Sequence, residues 1–300
     1  MTTSVLPTES DVADAARRIA PHIRTTPMLD IEADGRRAVL KLEHLQLTGS
    51  FKIRGALNAL LSGPAPELVV TASGGNHGLA VATAARLLGL PAVVYVPLGV
   101  PEGKARRIEA RGARLIRHGE RYSDAAAAAQ AAAIEPGTRY LPAYDEAAVI
   151  AGQGTVAAEV AAARPDVDAF VVAVGGGGLA AGTVVGGGRP VIAVEPDHCC
   201  CLHDAVQEGA PVDVVIDSIA ASALGATRIG ALPFELLRHQ ATELVTDEQI
   251  LAARDRLWEE YRLAVEPAAA APYAAWLDGR VTAESPCLIV CGANTDWVPA

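Results

Sequence analysis

An α/β fold with mainly parallel sheets wrapped by helices is what this 300-residue chain predicts, on three observations. DAFVVAV (168–174), PVIAVE (190–195) and PCLIVC (286–291) are continuous apolar runs of strand length, the mark of strands covered on both faces. Helix-length segments alternate with the strand-like ones through most of the chain. Glycine-rich loops stand directly after strand ends, where open α/β sheets take their ligands.

AVLKLE (38–43) reads as a strand, and the GALNALL run after Lys52 as a helix. ELVVTA (67–72) is the next strand, followed by a helix from about His77 to Leu88. PAVVYVP (91–97) is a short buried strand ending at a proline. GKARRIEARGA is a helix closed by Gly112, and RLIRH is the strand after it. The alanine-rich stretch 122–133 is a helix for which Ser123 and Asp124 are the expected caps. VIAGQGTVAAEVAAA (149–163) is a further helix, and there is no internal repeat.

Composition narrows the function classes. At 51% hydrophobic residues the chain can build a sizeable core, as one large domain or two modest ones. A net charge of −10 disfavours nucleic acid and anionic membrane as partners, while leaving room for a locally positive site. The N-terminal stretch has no basic region followed by an apolar one, so no signal peptide is expected, and no membrane-like apolar run is present. Five cysteines, three of them consecutive (Cys199, Cys200, Cys201, then Cys287 and Cys291), do not form a disulfide framework, and a reducing cytoplasm is the expected compartment.

Three features carry chemistry. Lys52, in SFKIRGA (50–56), follows an apolar residue and opens a helix. The positive pole of that helix pushes the amine toward its neutral form, able to make a Schiff base and to abstract protons. SGGNHG (73–78) joins a strand to a helix; its glycines and the helix start suit a carboxylate, although an ordinary turn has the same composition. GGGGLAAG (175–182) follows a buried strand and forms a nest of backbone donors for a phosphate monoester. A dinucleotide fingerprint competes there, with Ala180 at the third glycine position and Glu195 as the acidic partner.

SFKIRGA, SGGNHG, GGGGLAAG and CGAN (291–294), in this order and at these separations, resemble the pyridoxal-phosphate enzymes of the tryptophan-synthase-β fold (fold type II). Within them the chain is most similar to the serine/threonine dehydratase and serine racemase branch, from about residue 10 to 296. LEHLQLTGSFK, VIAGQGT (149–155), VEP (194–196) and AVEPAAAA (264–271) extend the resemblance. It implies two three-layer αβα domains: a large cofactor-binding one (1–70 and 147–300) and a small mobile one (71–146) carrying SGGNHG. A homodimer is implied as well.

The resemblance implies pyridoxal 5′-phosphate as the cofactor, with Lys52 as its Schiff-base lysine and the catalytic base. Phe51 packs against the cofactor and Asn76 hydrogen-bonds its 3′-oxygen. Gly175, Gly176, Gly177, Gly178 and Leu179 cradle its phosphate, and Cys291 faces the pyridine nitrogen. Ser73, Gly74, Asn76 and His77 surround the substrate carboxylate. A thiol is a weak donor that leaves the ring a weaker electron sink than an aspartate would, which favours β-elimination over transamination.

Departures from the pattern bear on the reaction. Racemases of the branch carry a second serine where this chain has Gly74, so little racemisation is expected. The branch's cation site keeps Glu195 but has Cys201 at its acid position, which suits neither Mg²⁺ nor Ca²⁺, and no metal is expected. Ala221 and Ser222 replace residues of an ADG triplet beside the substrate. The expected activity is α,β-elimination from L-threonine or L-serine to 2-oxobutanoate or pyruvate plus ammonia. The chain stops soon after CGAN, so no feedback by isoleucine is expected. The alternatives are another chemistry on the same cofactor, such as β-replacement or elimination from 3-hydroxyaspartate (with Arg54, Arg139 or Arg228 for its second carboxylate), a nicotinamide-dependent oxidoreductase, and a non-catalytic binding protein.

Overall fold

The strands of the computed structural model run, in chain order, β1 (Met28–Ala33), β2 (Arg36–Lys41), β3 (Leu68–Ala72), β4 (Ala92–Val96), β5 (Arg114–Arg117), β6 (Thr138–Tyr140), β7 (Ala169–Ala173), β8 (Val191–Pro196), β9 (Ala241–Val245) and β10 (Pro286–Ile289). The structure describes residues 5–297; the first four positions of the N-terminal stretch and the last three of the expected large domain lie outside the described residues. Six strands form one sheet in the order β1-β2-β10-β7-β8-β9, and four form a second in the order β5-β4-β3-β6. All pairings are parallel except the β1–β2 hairpin. Its turn places Asp34 and Gly35 at positive φ (53° and 73°), the geometry that matches strand twist.

The predicted strands and helices are present, with ends displaced by a few residues. Correction falls on the helix cap at 122–133. The helix is Tyr122–Ala132, Arg121 is its N-cap residue, and the Asp124 carboxylate accepts from the Arg121 and Glu120 N–H groups from inside the first turn. β1, β6 and β9 escape a reading of apolar runs because they are edge strands with polar, partly exposed residues.

Two helices fix the tetraglycine loop. Ala147–Ala163 and Gly178–Gly187 pack backbone against backbone: a Cβ on Gly154 would lie 2.7 Å from the Gly182 carbonyl. The small residues of VIAGQGT and GLAAG are thus packing requirements. The helix Lys52–Leu61 is anchored by buried charge. Arg54 is fully buried and donates to Glu43 at 2.8 Å, to Glu159 at 2.7 Å and to Thr155 at 3.1 Å. Buried Lys41 donates to the same Glu159 at 2.6 Å and to the Thr26 carbonyl at 2.8 Å. Ions taken out of water persist only when so paired.

Candidate active site

Lys52 is the first residue of the helix Lys52–Leu61, and Phe51 is its N-cap residue. The Phe51 N–H donates to the Cys291 carbonyl at 3.2 Å, and Ser50 forms an isolated bridge with Gly292. SFK is thereby held against CGAN, although the two motifs are far apart in the chain. The Lys52 Nζ donates to the Ala143 carbonyl at 2.9 Å and lies 5.1 Å from the centre of the Phe51 ring. Burial pushes its pKa down to about 8, against the opposing pull of Cys291 and Glu266.

The tetraglycine loop leaves β7 and enters the helix Gly178–Gly187. Gly177 has φ +88°, which disfavours any side chain. Tyr144 covers the loop so closely that a Cβ on Gly176 would run into its ring, and one on Gly178 would lie 2.9 Å from its Cβ. The first helical turn after the loop has N–H groups without intrahelical partners, as a phosphate cradle requires.

In SGGNHG, the Ser73 Oγ accepts from the Gly75 N–H at 3.2 Å, and a side chain on Gly78 would strike the Ser73 carbonyl. Asn76 opens the helix Asn76–Leu87. Its Nδ2 donates to the Glu266 carboxylate at 2.7 Å, while its buried Oδ1 has no partner.

One small cavity gathers Phe51, Lys52, Asn76, Gly175, Gly176, Gly177, Gly178, Leu179 and Cys291. Tyr144, Ala173, Ala223, Leu224 and Glu266 complete its wall. Burial pushes the Cys291 thiol up, so it stands as a neutral S–H. A larger surface cleft, near Asp168, Pro190 and Gln240, lies at the opposite, amino-terminal strand ends and holds none of the predicted site residues.

Ser73, Gly74 and His77 do not line this cavity. The His77 ring is turned to the backbone: its Nε2 donates to the Leu141 carbonyl at 3.0 Å. Burial, and then the Lys52 charge, push its pKa down to about 3, so the ring is neutral. Only its backbone, in the first helical turn, is placed to meet a carboxylate. Gly74 also differs from a simple vacancy, since a Cβ there would lie 2.7 Å from Val100 Cγ2.

Glu195 is fully buried and accepts from the N–H groups of Leu202 at 2.9 Å and His203 at 2.8 Å. Each of its oxygens thus serves as a cap for the helix Cys201–Glu208. The three consecutive thiols diverge: Cys199 donates to the Leu224 carbonyl, Cys200 to that of Asp197 and Cys201 to that of Gly175. The loop 218–225 meets the substrate side through Ser222, whose carbonyl would be 3.4 Å from a Cβ on Gly75.

Tyr144 and Glu266 are the site residues that a reading of motifs passes over. A glutamate before a proline at a helix start looks like a solvated cap, and AVEPAAAA holds no sign that its carboxylate is buried. Nothing in LPAYDE distinguishes Tyr144 from a surface tyrosine.

A lysine with a depressed pKa, a glycine phosphate cradle, a neutral thiol and an orphaned buried carboxamide oxygen fit an aldehyde cofactor bearing a phosphate and a ring oxygen. This is the site of a cofactor-dependent α/β enzyme. The chain belongs to the pyridoxal-phosphate dependent enzyme family, whose model matches residues 19–292. It is 36% identical over 302 residues to an L-threonine ammonia-lyase of Geobacter sulfurreducens, covering 95% of this chain and 75% of that protein. It is 35% identical to the serine racemase of Homo sapiens, covering 96% of this chain and 91% of the other. A solved threonine deaminase from T.th. superposes with a TM-score of 0.91 at 32% identity, over 98% of this chain and 100% of that one. The fold is fold type II, the cofactor is pyridoxal phosphate, and the chain is an enzyme of the serine/threonine dehydratase and racemase branch.

Proposed function

We propose that the protein is an ammonia-lyase that converts L-threonine to 2-oxobutanoate and L-serine to pyruvate, releasing ammonia. The observation that carries this reading is the meeting of Lys52, with its depressed pKa, and the neutral Cys291 thiol in one cavity beside the tetraglycine loop. Bound pyridoxal phosphate supplies the aldehyde that takes the substrate amine and the sink for the electrons of the broken Cα–H bond.

In this reading Lys52 Nζ would be the amine that holds the cofactor aldehyde, and it would serve as the base for the substrate α-proton. The first turn of the helix Asn76–Leu87 binds the substrate carboxylate through backbone N–H groups, with Ser73 shaping the loop. Gly175 to Leu179 would hold the phosphate, and Phe51 would pack against the cofactor. Cys291 would stand toward the pyridine nitrogen as a neutral, weak donor, a setting that favours β-elimination over transamination. Gly74 offers no hydroxyl to act as an acid on the opposite face, which supports elimination over racemisation.

The surroundings of three arginines support a monocarboxylic substrate. Arg54 is buried in its ion cluster, Arg139 is spent on Glu146 and the Ala59 carbonyl, and Arg228 pairs with Asp213 at the surface. The division into a large body (1–70 and 147–300) and a small mobile body (71–146) belongs to the same reading, with β3 straddling the junction. It is supported by the separate sheet of β3, β4, β5 and β6. A homodimer in the cytoplasm completes the proposal; among the described residues no helix is long and apolar enough to cross a membrane.

The test is direct. Purified protein is expected to show a visible absorption band that borohydride bleaches, absent from Lys52→Ala. It is expected to form 2-oxo acid from threonine and serine faster than from hydroxyaspartate. A bleachable band without product from any of the three would leave a binding protein and overturn the lyase reading.

A further inference from the structure

Glu266 takes no part in the mechanism above, yet among the described residues it is the one carboxylic acid in the wall of the Lys52 cavity. It is the N-cap residue of the helix Pro267–Leu277 and is 2% exposed. Its oxygen accepts from Asn76 Nδ2 at 2.7 Å, and a side chain on Gly292 would collide with that same oxygen, so the carboxylate has little room to swing. Asn76 Oδ1 is left buried and unpartnered at the cavity. We propose that Glu266 is a positioning residue that sets whether Asn76 presents an acceptor or a donor to the cofactor. The proposal rests on the lyase reading and extends it to the control of the cofactor's ring oxygen.

The logic is that of hydrogen-bond inventory. An ionised carboxylate accepts only; it holds the Asn76 nitrogen and leaves Oδ1 toward the cavity, fit to accept from a hydroxyl. A protonated carboxyl donates; it can hold Oδ1 instead and release Nδ2 toward the cavity, fit to donate to an anionic oxygen. An orphaned buried polar atom carries a free-energy cost, so each state selects a ligand oxygen of matching kind.

The groups facing Glu266 come from four elements. They are Asn76, Lys52, Lys104 of the helix Glu102–Glu109, the Asn294 backbone, and Cys291 beyond β10. Burial raises the Glu266 pKa to about 7, against the opposing pull of Asn76, Lys104, Asn294 and Lys52. Both states are therefore populated near neutral pH.

The holoenzyme is to be titrated by its visible spectrum from about pH 6 to pH 9 in the wild type, Glu266→Gln, Asn76→Ala and the double variant. The wild type is expected to show a spectral step near neutral pH. Glu266→Gln, whose amide does not ionise, is expected to retain the cofactor and lose that step. Asn76→Ala is expected to lack it already, so that adding Glu266→Gln changes nothing more. Glu266→Ala is expected to weaken pyridoxal phosphate binding to the apo-protein about tenfold by fluorescence titration. An unchanged midpoint in Glu266→Gln, or an equal shift with and without Asn76, overturns the proposal. A wild type that takes up no cofactor would overturn the lyase reading itself, a separate result.

Discussion

The Cys201 thiol donates to the Gly175 carbonyl at 3.2 Å and so fastens the first glycine of the tetraglycine loop to the helix Cys201–Glu208. Burial holds this thiol protonated, and Glu195 caps the same helix with both of its oxygens. A protein donor thus stands at the position where the resemblance implies a cation. Dialysis against EDTA is expected to leave threonine turnover unchanged. Cys201→Asp is expected to make turnover respond to Mg²⁺ or Ca²⁺, checked by assays with and without added metal.

Lys52 is expected to lose its proton at a lower pH than an ordinary lysine. With a pKa lowered by burial to about 8, its capture of pyridoxal phosphate in the apo-protein should rise to half its plateau near pH 8, where an ordinary lysine needs 10.5. The stability effect has a definite sign. The folded pKa lies below the unfolded one, so the charged amine destabilises the fold fully below pH 8, and this is relieved as pH climbs from 8 toward 10.5. Lys52→Met should therefore raise the apo-protein Tm at pH 7 and not at the alkaline end, which thermal melts at both pH values check.

Gly74→Ser alone is not expected to install racemisation. Its Cβ would lie 2.7 Å from Val100 Cγ2, so the loop must shift, and elimination should slow with little D-serine formed. Adding Val100→Ala is expected to restore elimination and to raise the share of D-serine, read by chiral chromatography of the products from L-serine.

Arg54→Ala is expected to cost about 3–5 kcal/mol in denaturant unfolding, because it strands Glu43 in the core without its ion pair. Arg54→Lys should recover only part of this, since an ammonium cannot span Glu43, Glu159 and Thr155 at once. A loss of hydroxyaspartate turnover with stability intact would instead point to a substrate role.

The site is legible in the sequence where chemistry sits in local motifs. The tetraglycine loop and Lys52 stand out because glycine runs after buried strands and lysines at helix starts are uncommon arrangements. Glu266 and Tyr144 do not, because their importance comes from burial, and burial is a property of residues far away in the chain. The His77 ring misleads for the same reason: the carbonyl that claims it belongs to Leu141, just past β6, a strand of three partly exposed residues that leaves no periodic trace. Among the elements, β7, β8 and β10 are plain as double-sided apolar runs, whereas edge strands look like loops until a partner is known.

The strand order has a consequence in time. β10 lies between β2 and β7, with Cys287 opposite Val39 on one side and Phe170 on the other. During synthesis, β3 to β6 are all available early and can pair among themselves. β2 and Lys52 must wait until β10 has been made before their sheet closes. A ribosome-bound chain lacking β10 would carry Lys52 with neither Cys291 nor Gly292 beside it. The surroundings of Lys52 are thus completed only after β10 and residues 291–292 have been made.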